Sequence, residues 1–309
     1  MKLIKPSFEV IEQESGLDGI YRIIERVGRV CYKSEDKIAE GTAKAFTDRM
    51  IDSGHGAMLE HGTVYMFMET RPQNGDLNEY MEQEYFYEKY DSNKYSFVRT
   101  RKEGTYVTTN FRVLAENDWL DDLQYQCEPT EHHEKRITVK FVCDRGVSHE
   151  FVRHRVFSFA QESTRYCNYS KDKFDGEITY ILPPWFTDFP ECYIRNSIGG
   201  SFEPSDYYRE NLDGSFKGNV ILMTDSKYWV DSLFRSERSY LNLIKAGWLA
   251  QQARAVLPNS LKTELVMTGT VSQWEGFFKL RDASSAHPQA YELAHPLHEE
   301  FIKRGYVNV

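Results

Sequence analysis

The strongest strand pattern in the chain is RITVKFVCD at residues 136–144, and a helical pattern that opens at Gly146 (GVSHEFVRHRVFSF) follows it directly. Two segments rich in β-branched and aromatic residues, 63–70 and 263–271, also predict strands, and residues 106–115 predict a strand followed by a short helix. Apolar residues at helical spacing predict helices over 35–52, 228–256, 272–281 and 286–304. This order lacks regular alternation of strands and helices, so it predicts an α+β fold with a mixed β-sheet flanked by helices.

The chain shows no sign of a division into domains. Its 309 residues contain no internal repeat and no linker rich in Gly, Ser or Pro, and a chain of this length can bury a substantial core. Aromatic side chains make up 14% of the residues, which argues against intrinsic disorder. We therefore predict a single domain over residues 1–309.

Charge and cysteine content limit the compartment and the partners. The net charge of −9 disfavours a nucleic-acid partner, and no apolar run reaches the ~20 residues that a membrane span needs. The N-terminal segment turns polar too early for a signal peptide. The cysteines form no C-x-x-C pair, which fits a reducing compartment and argues against a disulfide framework or a zinc site. We expect a cytoplasmic protein without a metal. The cysteines are Cys31, Cys127, Cys143, Cys167 and Cys192.

The most unusual segment is RHRVFSFAQESTRY at residues 153–166. It joins three arginines to several hydroxyl and amide groups within a short stretch, and guanidinium groups bind phosphate in a bidentate manner and stack on flat rings. From the residues alone, three interpretations stay open. The segment is an anion site, a solvated charge run paired with Glu150 and Glu162, or a stacking platform for nucleic acid.

Arg-His-Arg followed after seven residues by Ser resembles the signature of the flavin-dependent thymidylate synthases, the ThyX family. Further segments resemble that family in the same chain order. They are RVCY at 29–32, which is a weak match, GHGAMLEH at 54–61, ARAVLP at 253–258 and FFKLRDASSAHPQAYELA at 277–294. The resemblance implies a ThyX-like fold and a homotetramer whose active sites are shared between chains.

The resemblance also implies a reaction, the reductive methylation of dUMP to dTMP. Methylenetetrahydrofolate would supply the carbon, and NADPH would supply the electrons through FAD. Arg281 would be catalytic, because a fixed guanidinium stabilises negative charge that develops on the uracil ring.

The site residues are carried over from the matching positions. The dUMP ligands implied are Arg153, Gln161, Glu162, Ser163, Thr164, Arg165, Arg254 and Arg281. The FAD ligands implied are His55, Glu60, Arg153, His154, Arg155, Gln161 and Thr270. Ser163 is expected to bind substrate rather than act as a nucleophile, because no neighbouring residue in the sequence clearly supplies a base.

The chain departs from the family pattern in four places. Ala160–Gln161 stands where Asn-Glu is usual, and Glu150 stands where many members have Gln. Thr270–Val271–Ser272 replaces Asn-x-Arg, which removes a cation from the expected FAD pocket, and Gly276 replaces a further Asn. Residues 71–135 are predicted to be an insertion that could cover the pocket or alter the oligomer. A non-catalytic relative that binds dUMP is therefore the alternative to the enzyme.

Overall fold

A computed structural model of the protein describes residues 1–70, 77–186 and 224–307, with no side chains described for 77–80 and 224–227. Cys192 and most of the segment 190–226 lie outside this part of the chain. The helices are α1 Gly16–Tyr32, α2 Thr42–Asp52, α3 Gly56–Leu59, α4 Leu77–Asp91, α5 Phe111–Glu116, α6 Arg145–Phe151, α7 Thr224–Lys245, α8 Ala250–Ala253, α9 Val271–Arg281 and α10 Pro288–Lys303. The strands are β1 Lys2–Ile4, β2 Ser7–Ile11, β3 Thr63–Glu69, β4 Phe97–Thr100, β5 Gly104–Asn110, β6 Arg136–Asp144, β7 Ser158–Gln161, β8 Thr179–Ile181 and β9 Lys262–Thr270.

The α+β class predicted from the sequence is confirmed. The described strands lie in three sheets, instead of the one mixed sheet predicted. A four-stranded antiparallel sheet has the order β2-β6-β9-β7, a three-stranded antiparallel sheet has the order β3-β5-β4, and β1 pairs in parallel with β8. The long strands β6 and β9 pair over their full length, from Arg136↔Thr270 to Asp144↔Lys262.

One face of the four-stranded sheet is covered by α6, α9 and α10. Phe141 of β6 packs against an aromatic cluster that includes Phe151, Trp274 and Phe277, all fully buried. The Trp274 Nε1–H donates to the backbone oxygen of Ile137 at 3.1 Å, so the indole is satisfied in an apolar setting. Burial of a phenylalanine ring contributes about 1.5–3 kcal/mol, and Phe151 in this cluster fixes the start of the chain segment that carries Arg153–Arg155.

Helix α1 connects the two antiparallel sheets. Ile20 and Ile24 pack into the core under the three-stranded sheet, whereas Ile23 and Val27 pack with the β7–β9 edge of the four-stranded sheet. These apolar residues follow helical spacing, yet α1 is absent from the sequence prediction. Its position brings the 54–61 segment, which carries α3, close to the four-stranded sheet.

Three predicted helices are shorter than expected. The 35–52 segment forms a 3-10 turn at Glu35–Lys37, and α2 starts only after Gly41, whose φ of 79° is left-handed. The 228–256 segment breaks at Gly247, where φ is 92°. The helix predicted from Gly146 ends at Phe151, because Ser158–Gln161 pair with β9 as a strand. Arg153 and Arg155 therefore lie in a turn rather than in the predicted helix.

The described part of the predicted 71–135 insertion shares a core with the rest of the chain. Phe86 and Tyr90 of α4 are buried with Met66 of β3 and Val107 of β5, in the cluster that also holds Ile20. Tyr90 donates a hydrogen bond to Asp122 at 2.6 Å. Residues from this segment are therefore structural, and residues 71–76 lie outside the described part.

Candidate active site

The Arg-His-Arg segment forms a turn between α6 and β7. Asp144 caps α6 by accepting a hydrogen bond from the Val147 N–H at 2.8 Å, which fixes the start of this segment. Phe151 and Phe157 are buried on either side of the turn, while Arg153 and Arg155 between them are exposed. The two buried rings hold the turn, so both guanidinium groups face outward.

Arg281, at the end of α9, is held against the same turn. Its Nη1 contacts Glu150 Oε2 at 2.5 Å, its Nη2 donates to the Glu150 backbone oxygen at 2.8 Å, and its Nε donates to His154 Nε2 at 3.1 Å. Burial, together with the charge of Arg281, lowers the pKa of His154 to about 4. His154 is therefore neutral at pH 7 and accepts the hydrogen bond.

This arrangement gives Glu150 a structural partner. Glu150 stands where Gln was expected, and its carboxylate is paired with Arg281. The side chain of Arg281 is only 17% exposed. Its burial and its three hydrogen bonds together restrict it to one rotamer. A guanidinium fixed in this way needs little reorganisation when negative charge develops beside it.

The Ser163–Thr164–Arg165 segment meets Arg254, as the motifs predicted. Arg254 Nη1 donates to Thr164 Oγ1 at 3.0 Å, and the Arg254 side chain is otherwise exposed. The Ser163 Oγ accepts from the Arg165 N–H at 3.3 Å, and the Arg165 guanidinium lies over the Tyr166 ring. The two arginines are thus exposed, whereas Thr164 is buried and its hydroxyl accepts from Arg254.

Gln161 and Glu162 face inward in this structure. Gln161 Nε2 donates to Ser148 Oγ at 2.9 Å and to Thr263 Oγ1 at 3.2 Å. Glu162 is 2% exposed, and its two carboxylate oxygens accept from Lys262 and from the Tyr169 hydroxyl. Both side chains support the Ser163 segment from beneath, and their role as dUMP or FAD ligands stays a prediction.

The charges beneath that segment continue as a network. Lys262 also contacts Glu264 at 2.7 Å, and Lys33 contacts the same carboxylate at 2.7 Å. Burial alone would raise the pKa of Glu264, but the two lysines outweigh it and lower the pKa to about 2. Glu264 therefore stays ionised at neutral pH, and its ion pairs connect β9 to Lys33, the residue after α1.

A cavity of about 730 Å³ collects three of the predicted FAD residues, Glu60, Arg155 and Thr270. Its size lies in the range of ordinary cofactor sites, about 300–1,000 Å³. Arg112 and Arg136 also line it, and the sequence prediction missed both. A signal was available for Arg136, since it is a charged residue at the first position of an otherwise apolar strand.

The remaining predicted residues are placed elsewhere. His55 precedes α3, is exposed, and does not line the 730 Å³ cavity. His154 contacts Arg281 as described above. Nothing in the structure tests these ligand assignments directly, so each of them stays a prediction.

The described cysteines are free thiols that burial keeps protonated. Burial raises the pKa of Cys31 and Cys127 to about 11 and that of Cys167 to about 12. Within the described ranges, no cluster of three His, Cys, Asp or Glu side chains is arranged to hold a metal ion. Among the helices seen here, none combines the length and the apolar character that a membrane crossing requires.

Comparisons with known proteins agree with the motifs. A flavin-dependent thymidylate synthase from Corynebacterium aurimucosum is 23% identical over 285 residues, which cover 92% of this chain and 76% of that protein. One from Pyrococcus furiosus is 24% identical over 205 residues, 65% of this chain and 70% of that protein. A solved UMP/dUMP methylase, PolB from Streptomyces cacaoi bound with 5-Br dUMP, aligns over 98% of this chain and 93% of its own, with 16% identity and a TM-score of 0.39.

The model of one protein family matches residues 88–304, which is well over half of the chain. The match includes the Arg-His-Arg turn, the Arg254 segment and Arg281, and it also covers 88–135 of the segment predicted as an insertion. That prediction remains untested. The matching model is Thy1, thymidylate synthase complementing protein, and the chain belongs to that family.

Proposed function

We propose that this protein is an FAD-dependent thymidylate synthase that methylates dUMP reductively to dTMP. Methylenetetrahydrofolate is the carbon donor and NADPH the reductant. The observation that carries the proposal is the restrained Arg281, held by Glu150 and by a neutral His154 in a chain of this family. The guanidinium of Arg281 is therefore a positive charge held at a fixed position, and it can stabilise negative charge without transferring a proton.

The role of Arg281 follows from the electronic demand of the reaction. A uracil ring is a poor electrophile, and negative charge builds up on it as it reacts. Arg281 stabilises that charge through its guanidinium, and Glu150 holds the side chain in place. Because His154 accepts from Arg281 Nε, its own proton lies on Nδ1, and it donates no proton toward Arg281.

The nucleotide phosphate is assigned to the surface cluster of Arg165, Arg254, Ser163 and Thr164. Both arginines are exposed and carry no carboxylate partner within the described residues, so their donors are available to an anion. Ser163 acts as a ligand, since its Oγ is placed beside a backbone N–H rather than beside a base. Arg153 is exposed at the neighbouring turn and completes the site.

The 730 Å³ cavity is the proposed position of FAD. It is lined by Arg155 and Arg136, by Thr270 and by the aromatic residues Tyr95 and Phe97, and the cations and aromatic rings suit an anionic ligand with flat rings. When bound, FAD supplies the electrons that reduce the transferred carbon to a methyl group. Glu60, Arg155 and Thr270 would hold it, and the buried walls exclude water from one side.

The direct test is dTMP formation by the purified protein with dUMP, methylenetetrahydrofolate, NADPH and FAD, with each component omitted in turn. We expect product that requires all four. Failure to form dTMP while FAD and dUMP both bind would reject the proposed activity.

The alternative is a non-catalytic relative that binds dUMP. It is favoured by one feature, Thr270–Val271–Ser272 in place of Asn-x-Arg, which removes a cation from the proposed FAD site. It predicts dUMP binding without retention of FAD. Co-purification of FAD with the protein, visible as flavin absorbance, would exclude it.

A further inference from the structure

Arg136 is a cation without a carboxylate partner among the described residues. Its guanidinium donates to the Glu60 backbone oxygen at 3.0 Å, to Thr63 Oγ1 at 3.2 Å and to Ser158 Oγ at 3.4 Å. These acceptors are neutral, so they position the side chain without balancing its charge. A charge removed from water in this way is costly unless a counter-ion meets it.

The neighbouring ionisable groups leave the charge of Arg136 uncompensated. His61 is fully buried, and burial together with Arg136 lowers its pKa to about 3, so it is neutral. Its Nδ1 contacts Thr268 Oγ1 at 2.7 Å, while its Nε2 has no partner among the described atoms. The Glu60 carboxylate lies nearby but hydrogen-bonds Arg112 at 2.6 Å. Burial lowers the pKa of Arg136 to about 10, and it therefore remains charged at neutral pH.

Arg136 lines two cavities of opposite character. The smaller one, about 240 Å³, has Glu12, Glu14 and Glu128 against Lys135 and Arg136, so its wall carries more acidic than basic groups. The 730 Å³ cavity has Arg155, Arg112 and Lys94 against Glu60 and Glu116, and both of these carboxylates are engaged by Arg112. An anion is therefore favoured on the side of the larger cavity.

We infer that Arg136 binds the diphosphate of a dinucleotide in the 730 Å³ cavity, with Ser158 beside it as a second donor. In the proposed function this dinucleotide is FAD, and to that extent the inference rests on it. The guanidinium has five N–H donors, and the neutral acceptors named above take three of them, so its charge and two donors stay available to phosphate oxygens. The residue is a binding residue for the cofactor, and no part in the chemical step is assigned to it.

The test compares Arg136→Gln with Lys135→Gln, which removes one positive charge from the adjacent residue. Lys135 lines only the smaller of the two cavities, over the Tyr306 ring. FAD and riboflavin, which lacks phosphate, are titrated by flavin fluorescence. We expect Arg136→Gln to weaken FAD about tenfold to a hundredfold, from the strength of charge-assisted hydrogen bonds. Riboflavin binding, and FAD binding by Lys135→Gln, should change by less than about threefold. Equal loss for FAD and riboflavin, or no loss for FAD, would overturn the inference.

Two further measurements keep the inference testable. Arg136→Lys retains the charge but loses the planar set of N–H donors. It replaces Arg136→Gln as the test variant if circular dichroism shows that Arg136→Gln does not fold. Unchanged FAD affinity in Arg136→Lys would then count against the inference. If the wild-type protein binds no FAD, the proposed function fails, and inorganic pyrophosphate becomes the probe. A rise in Tm with pyrophosphate in the wild type that is absent in Arg136→Gln would support the anion site, and no rise in the wild type would reject it.

Discussion

The charge state and the freedom of movement of single residues in this protein depend on their burial and on the groups that they contact. Arg281 and Arg136 are both partly buried arginines, yet one has a carboxylate partner and the other has only neutral acceptors. The ion pair holds the Arg281 side chain in a fixed position, whereas the unpaired charge of Arg136 still attracts an anion. His154 and His61 differ from ordinary surface histidines because burial beside an arginine keeps both neutral.

The restraint on Arg281 predicts a loss of catalysis without a loss of fold. Arg281→Ala should lower kcat for dTMP formation about 10²- to 10³-fold, the usual cost of removing one donor that stabilises developing charge. Lys279→Ala, an exposed change on the same helix, is the control and should leave kcat unchanged. Steady-state kinetics and circular dichroism give both readouts. Near-normal kcat in Arg281→Ala would remove the role assigned to this residue.

His61 predicts a dependence of stability on pH. Its pKa is about 3 in the folded chain against an ordinary value of 6.5, so protons favour the unfolded chain. The stabilisation is complete above pH 6.5 and is lost as pH falls toward 3. Between pH 6.5 and pH 5, protonation of His61 in the unfolded chain should lower the free energy of unfolding by about 2 kcal/mol. Urea unfolding at pH 7 and pH 5 should show a smaller loss for His61→Gln than for the wild type.

The sequence predicted helices and strands correctly where the local residue pattern alone determined the element. β6 and β9 are decided by their high content of β-branched residues, and α9 and α10 by apolar spacing that ends near a capping residue. The helix predicted over 146–159 ends at Phe151, because Ser158–Gln161 pair with β9, which is distant in sequence. A strand of four residues has too little pattern of its own to compete with a helical one.

Helix α4 offers a test of whether residues 77–135 are structural. Phe86 is 2% exposed and packs in the core with β3 and β5. Phe86→Ala should lower the free energy of unfolding by about 3–5 kcal/mol. Met81→Ala on the same helix, at a position that is 59% exposed, should change it by less than about 0.5 kcal/mol. If Phe86→Ala unfolds at the same urea concentration as the wild type, α4 does not contribute to the stability of the core.

At the scale of the whole molecule, the site clusters lie at the surface of one chain. Arg153, Arg155, Arg165 and Arg254 are all exposed. An exposed cationic set of this kind suits a site that a second copy completes, which is the shared site of the predicted homotetramer. Closed symmetric assemblies place the same residues at equivalent interfaces.

Complementation between inactive variants tests the shared site. Arg153→Ala and Arg165→Ala should each be inactive alone. If one site takes Arg153 from one chain and Arg165 from another, mixed oligomers from co-expression should recover about a quarter of wild-type activity, the share of sites with both arginines intact. Light scattering of the wild type should give four times the chain mass. No recovery in proven mixed oligomers would place both arginines of a site in one chain.

The sequence by itself determined the α+β class, the main strands and the family, because apolar periodicity and the ordered motifs are local properties of the chain. The motifs also indicated Arg281, Arg165 and Arg254 as site residues, and their roles stay predictions. Only the tertiary structure decided what these residues meet. The pairing of Glu150 with Arg281, the inward turn of Glu162, and the uncompensated charge of Arg136 all depend on contacts between segments far apart in sequence. Burial and pairing set the charge state and freedom of an ionisable group, and neither can be read from its neighbours along the chain.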